Sequence, residues 1–402
     1  MQNSNGVSLK KINVLGSLPP LRALSGYCLA FSLSMSELVQ IEFISFQKIY
    51  PAFLYPGGDL REDETFPSID CNKIKIRRRL TWYNPLTWIV DGLSCKGELL
   101  HAQWWTPFLG PVYFAIFMGC RLRRKPVIIT VHNILPHEKT TANKIVSKLL
   151  FKLCDHFIVH SLSNKRQLKK CYSIPDKKIS VIPHGPLDVF NYGNKNRKTV
   201  RDEFGFKPEE KVILLFGAIR PYKGIDTALT AFNEVIRRVP DARLFIAGKL
   251  WEGWERYEQI ILDLNLSACI KKHLRYIPAE DVWKFYTASD LVILPYRHFD
   301  SQSGAGAAAL AFQKPIIVTD TGGLPELVVD RYYVVPPNDP GSLAEKIISC
   351  INEPSRLSRM SDESEKIAQE ISWHSIALKT LSVYENVMHE KRLAENRQSW
   401  DI

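Results

Sequence analysis

Long apolar runs are missing from this 402-residue chain. The longest, WWTPFLGPVYFAIFMGC at 104–120, is interrupted by two prolines and a glycine. It is shorter than the roughly 20 apolar residues that a membrane-spanning helix needs, so we expect a buried helix there. The opening MQNSNGVSLKKINVLG passes from a polar tail directly into a strand-like run and lacks the pattern of a secretion signal. These absences argue against an integral membrane protein and against a secreted one.

Closely spaced cysteines and acidic clusters are missing as well. The eight cysteines lie far apart, with no CxxC pair and no Cys/His spacing typical of a metal site. Scattered single cysteines suit a reducing compartment. No DxD-like acidic cluster occupies a loop suited to holding a divalent cation. The sequence therefore predicts a cytoplasmic protein that has no metal site and no cofactor.

Acidic residues are outnumbered by basic ones, 42 to 53, which gives a formal net charge of +11. Basic clusters occur at 73–79, 121–125 and 164–170, all in the first half. Such charge favours an anionic membrane surface, a phosphorylated substrate or nucleic acid as partner, although solvated helix faces account for part of it. Because the sequence has no zinc finger and no RNP-like aromatic strand, nucleic acid is not an expected partner.

Short apolar runs that alternate with helix-like segments are present in two similar sets. The strand-like runs lie at 11–17, 40–46, 98–104, 125–133, 156–161 and 179–185, and then at 211–220, 242–248, 290–296, 314–320 and 331–337. Near-continuous apolar strands separated by helices indicate parallel sheets covered on both faces. We therefore predict an α/β protein with two Rossmann-like doubly wound domains, at 1–190 and 211–372. A polar linker at 191–210 joins them, and a C-terminal helix follows at 373–402.

The segment DSQSGAGAAALAF (300–312) lies between two apolar strands of the second domain. In doubly wound sheets, ligands bind beyond the carboxyl ends of the strands. Ser303 is expected to cap the helix that follows, and Gly304 and Gly306 let another group approach the backbone. A helix N-terminus attracts anions, so a diphosphate is the candidate ligand. Tight packing of the helix on the sheet is the alternative explanation of the small residues.

A second loop of the same kind, FGAIRPYKGID, lies at 216–226. Its Arg220 offers a forked donor and its Lys223 a point charge, and both suit phosphate oxygens. Two such loops in one domain favour a bound diphosphate over a packing role.

With these motifs the sequence resembles the retaining GT-B glycosyltransferases of family 4, also called group 1. The stretches FGAIRPYKGID, LFIAGK, YIPAEDVWKFYTASDLVILPY and QKPIIVTDTGGLPE follow one another in that family's order, and GSLPPLRALSG, TVHN and VIPHG match it more loosely. The resemblance implies two domains that face each other across a cleft, with the C-terminal helix crossing back to the first. It also implies a nucleotide-sugar donor, bound by Gly16, Arg220, Lys223, Gln302, Ser303, Gly304 and Glu326.

The sequence departs from this family in its carboxylates. Where the family often has a pair of glutamates, this chain has Asp300 and Ala308. Asp300 is expected to contact the sugar as a catalytic residue. The second glutamate usually holds the ribose, and its absence leaves Glu326 or a backbone group as the expected replacement. An arginine that the family often places at position 218 appears two residues later, as Arg220.

In the first domain, the resemblance implies a role for His132, which ends the strand-like run IITVHN. It matches a histidine that lies near the transferred sugar in several family members, although an ordinary strand-end histidine is the alternative. His101 and His137 are weaker candidates for the acceptor side.

The predicted activity is hexosyl transfer from a nucleoside diphosphate sugar to an acceptor hydroxyl, with retention of configuration inherited from the resemblance. Synthesis of a cell-surface polysaccharide or glycolipid is the expected setting, with a sugar or lipid-linked acceptor. The basic clusters suggest peripheral attachment at the inner face of the membrane. A sugar-nucleotide epimerase or phosphorylase on the same scaffold is one alternative, and a basic nucleic-acid binder without enzymatic activity is another.

Overall fold

A computed structural model describes residues 9–51, 62–67, 69, 72–134, 141–191, 193, 196–299 and 302–400, the side chains of 397–400 excepted. The chain divides into two compact units. Unit 1 comprises Met1–Pro183 and Trp373–Ile402, and unit 2 comprises His184–Ser372.

Each unit is built on one sheet whose strands all run parallel. The sheet of unit 1 contains β1 Lys11–Gly16, β2 Gln40–Lys48, β3 Ile74–Thr81, β4 Leu100–Trp104, β5 Val127–Val131, β6 His156–Val159 and β7 Ile179–Val181. The sheet of unit 2 contains β8 Lys211–Phe216, β9 Ala242–Ala247, β10 Ile270–His273, β11 Leu291–Leu294, β12 Ile316–Thr319 and β13 Val334–Val335.

The first six strands of each unit have the same order, and unit 1 adds a seventh strand at one edge. The strand order is β3-β2-β1-β4-β5-β6-β7 in unit 1 and β10-β9-β8-β11-β12-β13 in unit 2. In both, the order reverses between the first strand of the unit and the fourth, which is the doubly wound arrangement. The predicted fold class is thereby confirmed.

Thirteen α-helices connect and flank the described strands. They are α1 Ser25–Met35, α2 Pro85–Leu93, α3 Gly110–Leu122, α4 Thr141–Phe151, α5 Leu162–Tyr172, α6 Arg197–Phe204, α7 Ile225–Arg238, α8 Glu255–Asp263, α9 Val282–Ala288, α10 Gly304–Ala311, α11 Pro340–Ile351, α12 Pro354–Glu370 and α13 Trp373–Trp400. Four of them have a proline at the first or second helical position, and several begin after an Asn, Ser or Asp cap. Both features favour helix initiation.

In unit 1, alternate residues of the central strand β4 face two different helical layers. Leu100, Ala102 and Trp104 enter a core that includes the buried residues of α3. His101 lies on the other face, where Phe31 of α1 and Tyr384 of α13 contact its ring. The C-terminal helix α13 therefore completes unit 1 on the side opposite α3.

In unit 2, the segment that the sequence suggested as a linker, 191–210, carries α6. The side chain of Asn196 caps this helix by accepting a hydrogen bond from the Thr199 backbone N–H, and Val200 is fully buried. Arg201 forms an ion pair with Asp290 at the start of β11. Apolar burial and this ion pair hold α6 within the second unit.

The structure has a shorter helix than the buried one expected at 104–120. Trp104 ends β4, and α3 begins only at Gly110. One face of α3 is buried, but Phe114 and Met118 on its other face are exposed. Every helix in the described part of the chain is too short or too polar to cross a lipid bilayer.

Candidate functional site

In unit 2, the loops that carry the predicted phosphate-binding residues follow neighbouring strands. β8 and β11 pair in parallel, and the strand order reverses between them. Parallel strands bring their carboxyl ends to one edge of the sheet, so the loop after β8 and the loop after β11 start side by side. The first contains Arg220 and Lys223, and the second leads to Ser303 at the start of α10.

Lys223 joins these two loops through its ammonium group. Its Nζ donates to the Phe216 carbonyl at 3.0 Å and to the Tyr296 hydroxyl at 2.8 Å, and the residue is only 5% exposed. Gly217 makes room for it, because a Cβ on this left-handed residue (φ 101°) would lie 2.9 Å from Nζ. Burial lowers the pKa of Lys223. An ammonium carries three hydrogens, and described acceptors take two of them.

The Tyr296 hydroxyl extends this network to the start of α10. It lies 2.9 Å from the Ser303 hydroxyl, which in turn accepts a hydrogen bond from the Gly306 N–H at 3.2 Å. Since the Tyr296 oxygen already accepts from Lys223, it is placed to donate to Ser303. Ser303 then has its own hydroxyl hydrogen for another acceptor. The predicted capping role of Ser303 is present in the structure.

Arg220 lies on the same loop, with its guanidinium stacked on an indole. The guanidinium carbon is 3.5 Å from the centre of the Trp251 ring, an arrangement that holds the side chain while leaving its N–H groups at the rim. Burial lowers the pKa of Arg220. Among the described residues, no carboxylate forms an ion pair with Arg220 or with Lys223. Two cations therefore lie on one loop without neutralising partners in the described part of unit 2.

The remaining predicted residues of unit 2 lie around the start of α10. Gly304 is exposed and Gln302 is half-buried. Glu326 is exposed on a short 3-10 helix, Leu324–Leu327, that packs against α10. Asp300 lies outside the described residues.

Small residues on α10 also have a packing role. A Cβ on Gly306 would come within 2.4 Å of a Leu327 methyl carbon, and Ala308, at the position of the missing glutamate, is 2% exposed within an apolar cluster. Gly304 is under no such constraint, because a Cβ there would meet only a Leu187 methyl at 3.7 Å. The packing explanation therefore accounts for Gly306 and Ala308 but not for Gly304.

In unit 1, His132 belongs to a buried polar network at the carboxyl ends of β4, β5 and β6. Its Nε2 lies 2.9 Å from the Gln103 side-chain oxygen, and its Nδ1 lies 3.0 Å from Nε2 of His160. Nδ1 of His160 is 3.0 Å from the Ile182 carbonyl. A carbonyl only accepts, so this nitrogen carries a proton. The network fixes the orientation of the His132 ring, which is 4% exposed.

His101 and Gly16 are buried deeper in unit 1. Nε2 of His101 contacts the Thr130 hydroxyl at 2.7 Å, Nδ1 contacts the Tyr384 hydroxyl at 2.6 Å, and burial lowers the pKa of this histidine to about 3. A Cβ on Gly16 would lie 3.0 Å from the Cys28 sulfur, so packing against α1 explains the glycine. His137 lies outside the described residues.

Sequence reasoning missed several residues of these networks. His160 ends β6 as His132 ends β5, so a histidine at the end of two neighbouring apolar runs was a signal available in the sequence. Tyr296 and Trp251 each follow a strand by two to four residues, but nothing in their local sequence predicts contact with Lys223 or Arg220. Among the described residues, no group of three or more His, Cys, Asp or Glu side chains is placed to hold a metal ion.

Solved structures share this architecture over nearly the whole chain. Sucrose-phosphate synthase from Thermosynechococcus elongatus superposes with a TM-score of 0.70 at 16% identity, over 95% of this chain and 100% of that one. Alr3699/HepE from Anabaena, in complex with UDP, superposes with a TM-score of 0.69 at 16% identity, over 94% and 100%. At such identities the likeness concerns the fold.

Curated relatives match a shorter part. D-inositol 3-phosphate glycosyltransferase of Segniliparus rotundus is 29% identical over 249 residues, which are 60% of this chain and 55% of the relative. The putative glycosyltransferase YtcC of Bacillus subtilis is 27% identical over 233 residues, 53% and 56% respectively. The match thus spans little more than half the length of these relatives.

Two family models divide most of the chain between them. Residues 53–186 match the model described as Glycosyltransferase Family 4, and residues 196–367 match the one described as Glycosyl transferases group 1. The first match lies almost wholly in unit 1, and the second lies in unit 2 and contains both loops that carry the predicted phosphate-binding residues. The chain therefore belongs to the group 1 glycosyltransferases, family 4 of the GT-B class.

Proposed function

We propose that this protein transfers a hexosyl unit from a nucleoside diphosphate sugar to an acceptor hydroxyl. The observation that carries the proposal is the arrangement of Lys223, Tyr296 and Ser303, which links the loop after β8 to the start of α10. Arg220 adds a second cation on the same loop. These groups are donors without described acidic partners, and a diphosphate supplies the acceptor oxygens that they lack.

The same groups suit the chemical step. When the bond between the sugar and the diphosphate breaks, negative charge accumulates on the leaving phosphate. The third hydrogen of the Lys223 ammonium, the Ser303 hydroxyl and the first N–H groups of α10 would stabilise that charge. Because two side-chain cations are available, we propose that the leaving group is neutralised without a divalent metal. Glu326 is the proposed contact to the ribose, since it is exposed beside α10.

We assign the sugar-side chemistry to His132 and Asp300, and acceptor contacts to the first unit, with His101 and His137 as secondary candidates. The hydrogen bonds of His132 to Gln103 and His160 support a fixed ring rather than a mobile one. We propose retention of configuration on the resemblance to the family alone.

The names of relatives and of solved structures support a proposal for the substrates of the reaction. Some relatives are named D-inositol 3-phosphate glycosyltransferase, and the HepE structures hold UDP or UDP-glucose. We propose a uridine diphosphate sugar as the first donor to test, and a sugar or lipid-linked acceptor in polysaccharide or glycolipid synthesis. The proposed site of action is the cytoplasmic face of an anionic membrane, which the net charge of +11 favours.

Binding of free nucleoside diphosphates tests the donor site directly. Arg220→Ala and Lys223→Ala each remove a charge-assisted contact worth about 1.5–3 kcal/mol, so titration calorimetry should show at least about tenfold weaker binding. Lys198→Ala, an exposed lysine on α6, is the matched control and should bind normally. Undiminished binding by both site variants, with folding verified by circular dichroism, would refute the assignment.

Product analysis then separates transfer from the alternatives. Glycosyl transfer requires an acceptor, whereas an epimerase converts the donor sugar by itself.

His132→Ala should lower turnover much more than it lowers nucleotide affinity, because the nucleotide is assigned to unit 2. Equal losses of turnover and of nucleotide affinity would contradict a role of His132 in the chemical step.

A further inference from the structure

Exposed apolar side chains are concentrated on three consecutive helices of unit 1. Of the eighteen large hydrophobic residues that are exposed in the described part of the chain, nine lie on α2, α3 and α4. They are Leu86, Ile89, Val90, Leu93, Phe114, Met118, Leu122, Ile145 and Leu149. Leu86 and Leu122 are 71% and 73% exposed. We call these nine residues the α2–α4 face.

The packing of the three helices makes this face continuous. α2 and α3 approach so closely at Gly92 and Gly119 that a Cβ on Gly119 would lie 2.5 Å from the Gly92 carbonyl carbon. α3 also packs against α4. Tyr113, Ile116 and Phe117 of α3 face the core, so Phe114, Met118 and Leu122 follow at helical spacing on the side turned to solvent.

The exposed charges within the three helices have one sign. Asp91 is the only acidic residue within the three helices, and it is fully buried, where Arg79 holds it in an ion pair. Exposed cations lie among the apolar residues: Arg124 just after α3, and Lys144, Lys148 and Lys152 on or just after α4. No described carboxylate pairs with Arg124, Lys144 or Lys148.

We infer that the α2–α4 face is the surface by which this protein docks on an anionic lipid membrane. A monomeric soluble protein rarely exposes a contiguous apolar patch of this kind without a partner. Leucines, a phenylalanine and a methionine interspersed with lysine and arginine suit the boundary between lipid headgroups and acyl chains, where the apolar groups insert and the cations meet phosphate. The inference rests on the membrane association proposed above and names the face that makes the contact.

The structure also shows which residues of the three basic clusters are already engaged in ion pairs. In the cluster at 73–79, Arg77 and Arg79 pair with the buried Asp91. In the cluster at 164–170, Lys165 and Lys169 pair with Asp176. Those side chains stabilise the fold locally, whereas Arg124 of the cluster at 121–125 lies at the edge of the α2–α4 face.

Vesicle flotation tests the inference with the full-length chain. Wild type should float with phosphatidylglycerol vesicles at low salt and much less with phosphatidylcholine vesicles. The double variant Leu86→Gln/Leu122→Gln should lower the partition coefficient at least about tenfold, because both side chains are proposed to insert. Arg124→Gln/Lys144→Gln/Lys148→Gln should lower it similarly and flatten its salt dependence.

The controls are exposed residues of the same types on unit 2. Leu262→Gln/Val329→Gln and Lys198→Gln/Lys207→Gln/Lys366→Gln should partition like wild type. Wild-type binding that the α2–α4 variants retain would overturn the inference while leaving membrane association intact. If wild type binds neither kind of vesicle, both membrane association and the proposed role of the α2–α4 face are wrong. The nucleotide-binding test of the donor site does not depend on that result. If wild type forms a dimer and Leu86→Gln/Leu122→Gln is monomeric with unchanged vesicle binding, the α2–α4 face would instead be the interface with a second copy of this chain.

Discussion

At the scale of single residues, the proposed donor site depends on a lysine that is buried without a carboxylate partner among the described residues. Burying an ammonium group is unfavourable unless hydrogen bonds compensate, and Lys223 obtains them from the Phe216 carbonyl and the Tyr296 hydroxyl. The sequence predicted Lys223 and Arg220 from their loop. It could not predict Tyr296, because the contact joins residues separated by 73 positions.

Tyr296→Phe isolates this contact. The ring is 1% exposed and its packing is retained, but Lys223 loses one acceptor and Ser303 loses a neighbour. We expect a loss of about 1–3 kcal/mol in the free energy of unfolding, since a buried donor loses its partner. We also expect weaker nucleoside diphosphate binding, because the ammonium is no longer held in place. Chemical denaturation and titration calorimetry measure the two effects.

Tyr257→Phe is the control for Tyr296→Phe. It removes another buried hydroxyl of unit 2, which donates to Glu252 and makes no described hydrogen bond with Lys223 or Ser303. It should lose stability and keep full nucleotide affinity. An equal drop in affinity for both variants would mean that Tyr296 acts through general stability alone.

At the scale of elements, the eleven strands predicted from apolar runs are all present, and two strands were missed. Both lie at sheet edges: β3, with the sequence IKIRRRLT, and β10, with the sequence IKKH. An interior strand of a parallel sheet is buried on both faces and is therefore continuously apolar. An edge strand carries charges that protect its open side. The basic cluster at 73–79 consequently belongs to an edge strand. A prediction based on apolar runs missed this strand because of its charges.

The α2–α3 pairing makes a prediction at this scale. Gly119→Ala should destabilise the protein by about 1–3 kcal/mol, because the new methyl meets the backbone of Gly92 and Leu93, which cannot yield as a side chain would. Helix propensity alone predicts the opposite change in stability, because it favours alanine over glycine by about 1 kcal/mol. The midpoint of urea denaturation measures it.

Gly341→Ala supplies the comparison on α11. A Cβ there would meet only the Asp339 carboxylate at 3.5 Å, so propensity should dominate and stability should stay level or rise. If Gly119→Ala stabilised the protein as well, the close approach of α2 and α3 would be wrong.

At the scale of the whole molecule, buried and half-buried histidines are expected to weaken the protein in acid. Burial lowers the pKa of His101 to about 3, and that of His156 and His184 to about 4. In the unfolded chain a histidine titrates near pH 6.5. Unfolding therefore takes up protons below that pH, so the stability that these groups provide is complete above about pH 6.5 and is lost as the pH falls towards 4.

His101→Gln tests this linkage. The variant lacks one of the titrating groups, so its stability should fall less steeply than that of wild type between pH 6 and 4, by up to about 1.4 kcal/mol per pH unit. Denaturant titrations across that range measure the difference. Parallel slopes for His101→Gln and wild type would show that His101 is protonated to the same extent in both states.

The sequence by itself determined the two parallel sheets, the positions of their interior strands and the two cations of the loop after β8. Those features are local, because burial on both faces dictates apolar runs and a phosphate-binding loop needs its charges within a few residues. Only the tertiary structure decided which residues support them. Tyr296 reaches Lys223, His160 orients His132 and Tyr384 reaches His101 from α13. It also decided that nine apolar side chains of three separate helices share one solvent-facing surface. Such contacts join distant parts of the chain, and no local pattern of residues encodes them.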